Sequence, residues 1–403
     1  MKRLLSLCVC AALFAASVPS LRAQEGSPVD PGSVQYIIPQ IDAKMKEFVE
    51  SKEIAGAVTL FAEHDKVLHL SSIGYSDLKE QKPMQIDSIF WIASMTKPIT
   101  GAAVAKLVEE GKLSIDDPVS KYLPEFKELK LPKEGDKEAK PAVITIKHLL
   151  THSAGLSELS SEEQLKLKEL AELTQLVSTK PLKFTPGTKW VYSQTGINSA
   201  ARVVEVVSGK SFPDFIDETF FKPLGMRDTT FYLNDEQVSR LAKTYKRNEQ
   251  GELEEAPLSI FGDQSLTSRE RVPLANGGLF STAGDYGRFC QMLLSGGSFK
   301  GKQILKPETV QLIGTVHSGD LVTGFTPGNA WGLGVCVVRQ PQGVTKRLSP
   351  GSAGHGGAYG TQAWMDPVRD RVFVLMVQRA NFPNSDASTV REGFQEIAYQ
   401  VEN

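Results

Sequence analysis

Phe90-Trp91-Ile92-Ala93-Ser94-Met95-Thr96-Lys97 carries an apolar run into a hydroxyl and an amine three residues apart. At i and i+3 two side chains share one helix face, so Lys97 can reach Ser94 without tertiary help. A serine hydroxyl is a poor nucleophile until a base stands beside it. A helix start also offers free N–H groups and the positive end of a macrodipole to developing negative charge. Pro98 falls in the first turn, where a missing N–H costs least, and Ala102-Ala103-Val104-Ala105-Lys106-Leu107-Val108 reads as a buried helix. The same spacing recurs at Ser76 and Lys79, but Gly74-Tyr75-Ser76-Asp77-Leu78-Lys79-Glu80 reads as a solvated turn.

Outward from this centre, the 403 residues can bury a large core and suggest two or three domains. Residues 36–49 have helical periodicity, and residues 57–61 and 67–70 read as strands. Helices dominate from residue 94 to about 325. Strands return at 332–338, 360–365 and 371–378, before an amphipathic helix over 388–401. Strands at both ends of a helical middle predict an α+β fold. Residues 30–92 and 326–403 would build one antiparallel sheet flanked by the first and last helices. Residues 93–325 would form an inserted, mainly helical domain, with the site in the cleft between.

The net charge is −2, and residues 1–23 hold Lys2, Arg3 and Arg22 with no acid. With the apolar run 4–18 and Leu21-Arg22-Ala23, they read as a secretory signal. Its removal takes the charge to −5 and predicts a periplasmic or secreted bacterial protein with no stable membrane span. No basic patch points to nucleic acid. Cys290 and Cys336 read as two separate buried thiols, since one pair is no disulfide framework. No spacing of metal ligands or phosphate-binding glycine loop is present, so neither metal nor cofactor is expected. His148 and His152 lack the adjoining Glu of a metalloprotease helix and read as packing and capping residues.

Two further stretches carry chemistry. In Thr185-Pro186-Gly187-Thr188-Lys189-Trp190-Val191-Tyr192-Ser193-Gln194, the tyrosine enters a helix over 197–208 with Gly209 as its C-cap. A phenol beside a lysine ammonium loses its proton more easily than its ordinary pKa of ~10 suggests, which makes Tyr192 a candidate general base. In Gly354-His355-Gly356-Gly357-Ala358-Tyr359-Gly360, glycines entering a strand suggest close approach of a ligand to backbone. An N–H there would pair with that of Ser94 as an oxyanion hole, typically worth ~3–4 kcal/mol.

Together these stretches, with His148-Leu149-Leu150-Thr151-His152-Ser153-Ala154-Gly155-Leu156 and Asn276-Gly277-Gly278-Leu279-Phe280-Ser281-Thr282, resemble the serine β-lactamase and penicillin-binding-protein superfamily. The resemblance runs from about residue 35 to the C-terminus and is greatest to class C β-lactamases and family VIII carboxylesterases. It implies Ser94 as the acylated nucleophile, Lys97 as its proton-transfer partner and Tyr192 as the base. It also implies His355-Gly356-Gly357 in place of the family's Lys-Thr-Gly, with Ala358 supplying the second oxyanion N–H. Gln194 replaces the family's Asn, so its amide would meet substrate one methylene further out.

An imidazole lacks the fixed charge that a carboxylate-bearing substrate needs. His355 would gain that charge only towards pH 6. The expected activity is therefore a secreted serine hydrolase, foremost a carboxylesterase, acting on a small ester, amide or lactam through acyl-Ser94. A class C-type β-lactamase or D-alanyl-D-alanine carboxypeptidase is the alternative. A peptidoglycan- or partner-binding relative is the non-enzymatic one.

Overall fold

Val58, Leu60 and Ala62 point into one hydrophobic core and Ala57 and Phe61 into another, the alternation that a pleated strand buried on both faces requires. They belong to β1 (Gly56–Ala62), every residue of which is buried. In the computed structural model, which describes residues 37–131, 142–324 and 326–400, β1 lies within an eight-stranded antiparallel sheet. The other strands are β2 (Val67–Asp77), β3 (Lys82–Pro83), β4 (Asn329–Trp331), β5 (Cys336–Val338), β6 (Ala353–Gly356), β7 (Gln362–Asp366) and β8 (Arg371–Met376). Their spatial order is β4-β5-β6-β7-β8-β1-β2-β3. Early and late chain meet where β1 pairs with β8, Val58 opposite Met376.

Five helices position the site: α1 (Pro39–Glu50), α2 (Thr96–Glu109), α3 (Gln194–Ser208), α4 (Ala283–Leu294) and α5 (Thr389–Gln400). Pro39 opens α1 where no N–H is needed. Ile41 and Met45 of α1, with Val390 and Phe394 of α5, cover Phe61, Trp364 and Phe373 on one sheet face. The opposite face packs on α2 and α4. A Cβ at Gly287 of α4 would lie 2.8 Å from Leu60, so that helix sits tightly against β1.

The α+β fold and its large antiparallel sheet are as the sequence predicts, but the element bounds differ instructively. β2 continues past residue 70 because Ser71 to Gly74 keep pairing with β1. Ser76 is consequently buried on a strand, its Oγ donating to the carbonyls of Lys82 and Pro83, and not on a solvated turn. Of the expected strand over 332–338 only β5 is strand; residues 332–335 turn the chain from β4 into it, with Gly334 at φ +70° and Gly332 N donating to Val335 O. His355 and Gly356 lie on a strand, not in a loop leading into one. The middle of the chain is also less helical than expected. Phe90–Trp91 pairs with Phe280–Ser281, and Tyr245–Arg247 pairs with Leu253–Glu255 and with Arg379–Ala380. Cys290 and Cys336 are free thiols, the second only partly buried. The expected leader lies outside the described residues, among which no helix is long and apolar enough to cross a membrane.

Candidate active site

Ser94 sits on a kinked turn. Ala93 before it has φ +45°, a left-handed conformation that a residue with a Cβ adopts at a cost, and the short 3-10 turn Ala93–Met95 runs straight into α2. The kink is held from several sides. Thr96 Oγ1 donates to Ala93 O at 2.7 Å, Trp91 Nε1 to Gly277 O at 2.6 Å, and the Tyr286 hydroxyl to Met95 O at 2.7 Å. Ser94 is the one partly exposed residue in a buried run from Phe90 to Thr100.

Lys97, one turn on, is fully buried. Its Nζ donates to Ser94 Oγ at 3.0 Å and to Asn276 O at 2.7 Å, and lies 4.6 Å from the centre of the Tyr192 ring. Burial pushes this ammonium well below the ordinary lysine value, while the Glu158 and Asp386 carboxylates pull it part of the way back. The i, i+3 contact expected from spacing is thus present, with the amine biased towards its neutral, proton-accepting form.

Tyr192 approaches from the start of α3. Its hydroxyl is within hydrogen-bonding reach of Ser94 and 3.4 Å from His355 Nε2. His355 Nδ1–H donates to Gly356 O at 2.7 Å, which leaves Nε2 as the acceptor for the Tyr192 O–H. Burial drives the phenol upward, contrary to the easy proton loss expected from the sequence. The physical reason is that the burial penalising a phenolate also disfavours the lysine charge that would have stabilised it. His355 is corrected likewise. Burial first, and Lys97 second, hold it at about 3, so it does not gain charge at pH 6.

β6 delivers the other half of the site. A Cβ at Gly357 would lie 2.7 Å from Ile92 O and press on Thr361 Oγ1. At Gly356 it would meet Gln362 and Asp386. Gly357 therefore lets the strand end lie against the nucleophile turn, and Gly356 lets it lie against Gln362 and Asp386. Ala358 follows, exposed, and among the described residues its amide donates to no backbone carbonyl. Gln194 opens α3, and its Oε1 accepts from Asn276 Nδ2 at 2.8 Å.

Asn276 stands in a stretch the sequence singled out, yet its role did not show there. Its carbonyl receives Lys97, its side chain holds Gln194, and its N–H donates to Asn198 Oδ1 at 3.1 Å. Glu158 had no sequence signal at all and accepts from Ser193, Gln194 and Thr195. His152 Nδ1 accepts from Ser193 N at 3.1 Å, and its ring lies 4.5 Å from that of Tyr192. His148 closes a capping box with Thr145. Among the described residues no three potential metal ligands cluster.

The Beta-lactamase family model matches residues 41–395. The chain belongs to the Beta-lactamase family. As a member of the Beta-lactamase family it is a serine hydrolase. Similar proteins include Protein Rv1367c of Mycobacterium tuberculosis, 32% identical over 381 residues that cover 88% of this chain and 94% of that one. Esterase EstB of Burkholderia gladioli is 28% identical over 369 residues, 85% of this chain and 90% of that protein. Among solved structures, EstCE1, described as a hydrolase with promiscuous acyltransferase activity, matches with a TM-score of 0.75 at 25% identity, covering 90% of this chain and 98% of that one.

Proposed function

We propose that the protein is a secreted carboxylesterase that cleaves small neutral esters through a covalent acyl-Ser94 intermediate. Support for the ester over a lactam or D-Ala peptide comes from one observation. The residue that replaces the family's third-motif lysine, His355, is a neutral imidazole engaged by Tyr192 and Gly356. It offers no cation to a substrate carboxylate.

In this mechanism Ser94 Oγ attacks the acyl carbon as its proton passes to the Lys97 amine. The carbonyl π electrons move to oxygen, and the Ser94 and Ala358 N–H groups stabilise that oxyanion. Collapse breaks the C–O bond to the leaving alkoxide, which takes a proton from the Tyr192 hydroxyl, itself reprotonated by Lys97. Water then attacks the acyl carbon and gives up a proton by the same route. The carboxylic acid leaves and Ser94 recovers its hydrogen. Gln194 would hold a polar group of the acyl moiety.

A panel of p-nitrophenyl esters, a chromogenic cephalosporin and a D-Ala-D-Ala peptide, assayed on one sample, tests the reading. Short esters should show the highest kcat/KM. A cephalosporin turned over faster than any ester would overturn it. Secretion is tested separately, by the mature N-terminus falling near residue 24.

A further inference from the structure

Among the described residues, Glu158 makes more hydrogen bonds to the start of α3 than any other side chain does. Its Oε1 accepts from Ser193 Oγ at 2.6 Å and from Gln194 N at 3.2 Å. Its Oε2 accepts from Gln194 N at 3.2 Å, from Thr195 N at 3.1 Å and from Thr195 Oγ1 at 3.0 Å. Ser193 Oγ in turn accepts from Gly196 N at 3.0 Å. The first three N–H groups of a helix have no partner within it. Here two are satisfied by a carboxylate distant in sequence and the third by the residue that carboxylate holds. Tyr192 is the residue immediately before this capped turn.

We propose that Glu158 is a positioning residue for Tyr192, fastening the segment that carries the phenol and cancelling the positive end of α3 beside the site. The inference rests on the proposed roles of Ser94, Lys97 and Tyr192. The loop that carries Glu158 is itself pinned. Gly155 O accepts from Lys183 N at 2.7 Å, and Ser157 Oγ donates to Pro181 O at 2.7 Å. With the loop tied by one backbone and one side-chain contact, the carboxylate is held in place by the fold and not recruited from solvent.

A charge consequence follows. The titratable groups facing Lys97 and Tyr192 are Glu158, Asp386, His152, His355 and Cys336. Burial pushes both histidines down and the Cys336 thiol up, so these three stay uncharged across the working range. Burial also pushes the Asp386 carboxyl up. Glu158 raises the proton affinity of both Lys97 and Tyr192. Taking its charge away must lower both.

The test compares Glu158→Gln, Glu158→Asp and Glu158→Ala in the full chain, using p-nitrophenyl acetate. Gln should lower kcat about 10-fold or more with KM changed less than about 3-fold, and should displace the acid limb of the kcat/KM profile to lower pH by roughly half a unit to one unit. Asp, which keeps the charge, should leave that limb in place. A limb unmoved in Gln, with kcat lost only in step with Tm, makes Glu158 merely structural and overturns the proposal. So does wild-type kcat in both Gln and Ala. If Ala does not fold, Gln and Asp still decide. Wild-type turnover in Ser94→Ala would instead defeat the underlying mechanism, a different result from any of these.

Discussion

Removing the Ser94 hydroxyl should abolish acyl transfer and leave the turn in place, because Thr96, Trp91 and Tyr286 hold that turn without help from Oγ. Ser94→Ala should thus lose several orders of magnitude in kcat with Tm unchanged within about 2 °C, and a fluorophosphonate should label the wild type on the Ser94 peptide. A label on Ser76 would contradict the burial of that side chain on β2. Tyr192→Phe bears on the division of labour. With the phenol pushed up and the lysine pushed down, the proposed mechanism makes Lys97 the proton acceptor for Ser94 and the hydroxyl a relay. Phe should therefore cost about 100-fold or more in kcat, and Lys97→Ala should cost more. A Phe variant as impaired as Lys97→Ala would return the base role to Tyr192. Since His355 stays neutral, KM for an anionic cephalosporin should be flat from pH 6 to pH 8.

The strand β6 and its glycines set a second expectation. Gly357→Ala must push β6 away from Ile92, because its Cβ has no room beside that carbonyl, and Ala358 moves with it. Loss of this proposed oxyanion donor corresponds to about 100-fold or more in kcat, with the fold retained. The pairing of α1, β1 and β2 carries a pH signature of its own. His69 is fully buried, its Nδ1 accepting from Ile38 N at 3.1 Å, which leaves Nε2–H to donate to Thr59 Oγ1 at 2.9 Å. Burial lowers it to about 4. The unfolded chain, with an ordinary histidine near ~6.5, takes up the proton first. Stability is then complete above that value and is lost as pH falls towards 4, by up to about 3 kcal/mol from this residue. Urea midpoints should drop over that range, and His69→Gln should flatten the slope.

Distance along the chain explains which of these features could be read in advance. Ser94 and Lys97 are three residues apart, and local helix geometry brings them together. Glu158 acts across 36 residues and Asn276 across 179. Nothing in their neighbours announces a cap or a carbonyl that only tertiary folding supplies. The proton affinities failed to show for the same cause. A sequence displays charges, whereas burial decides which of them survive.

At the scale of the molecule, one sheet face depends on the last helix. Truncation before Thr389 removes Val390, Phe394, Ala398 and Tyr399 from Phe373 and its neighbours. At about 1.5–3 kcal/mol for each large apolar side chain, the loss rivals the whole stability of a domain, about 5–15 kcal/mol. The truncated chain should show no cooperative thermal transition. A sharp melt near the wild-type temperature would mean that the sheet supports itself.

The pairing of β1 with β8 also orders events in time. A growing chain presents Ser94 and Lys97 to the cell well before Gly357 and Ala358 have been synthesised, and β1 waits for its neighbour until Met376 emerges. Such distant pairing folds slowly. On the proposed roles of these residues the centre would therefore be silent throughout translation. Its activity switches on only once the finished polypeptide closes, so a chain kept extended for passage through a narrow pore would reach the far side still inactive.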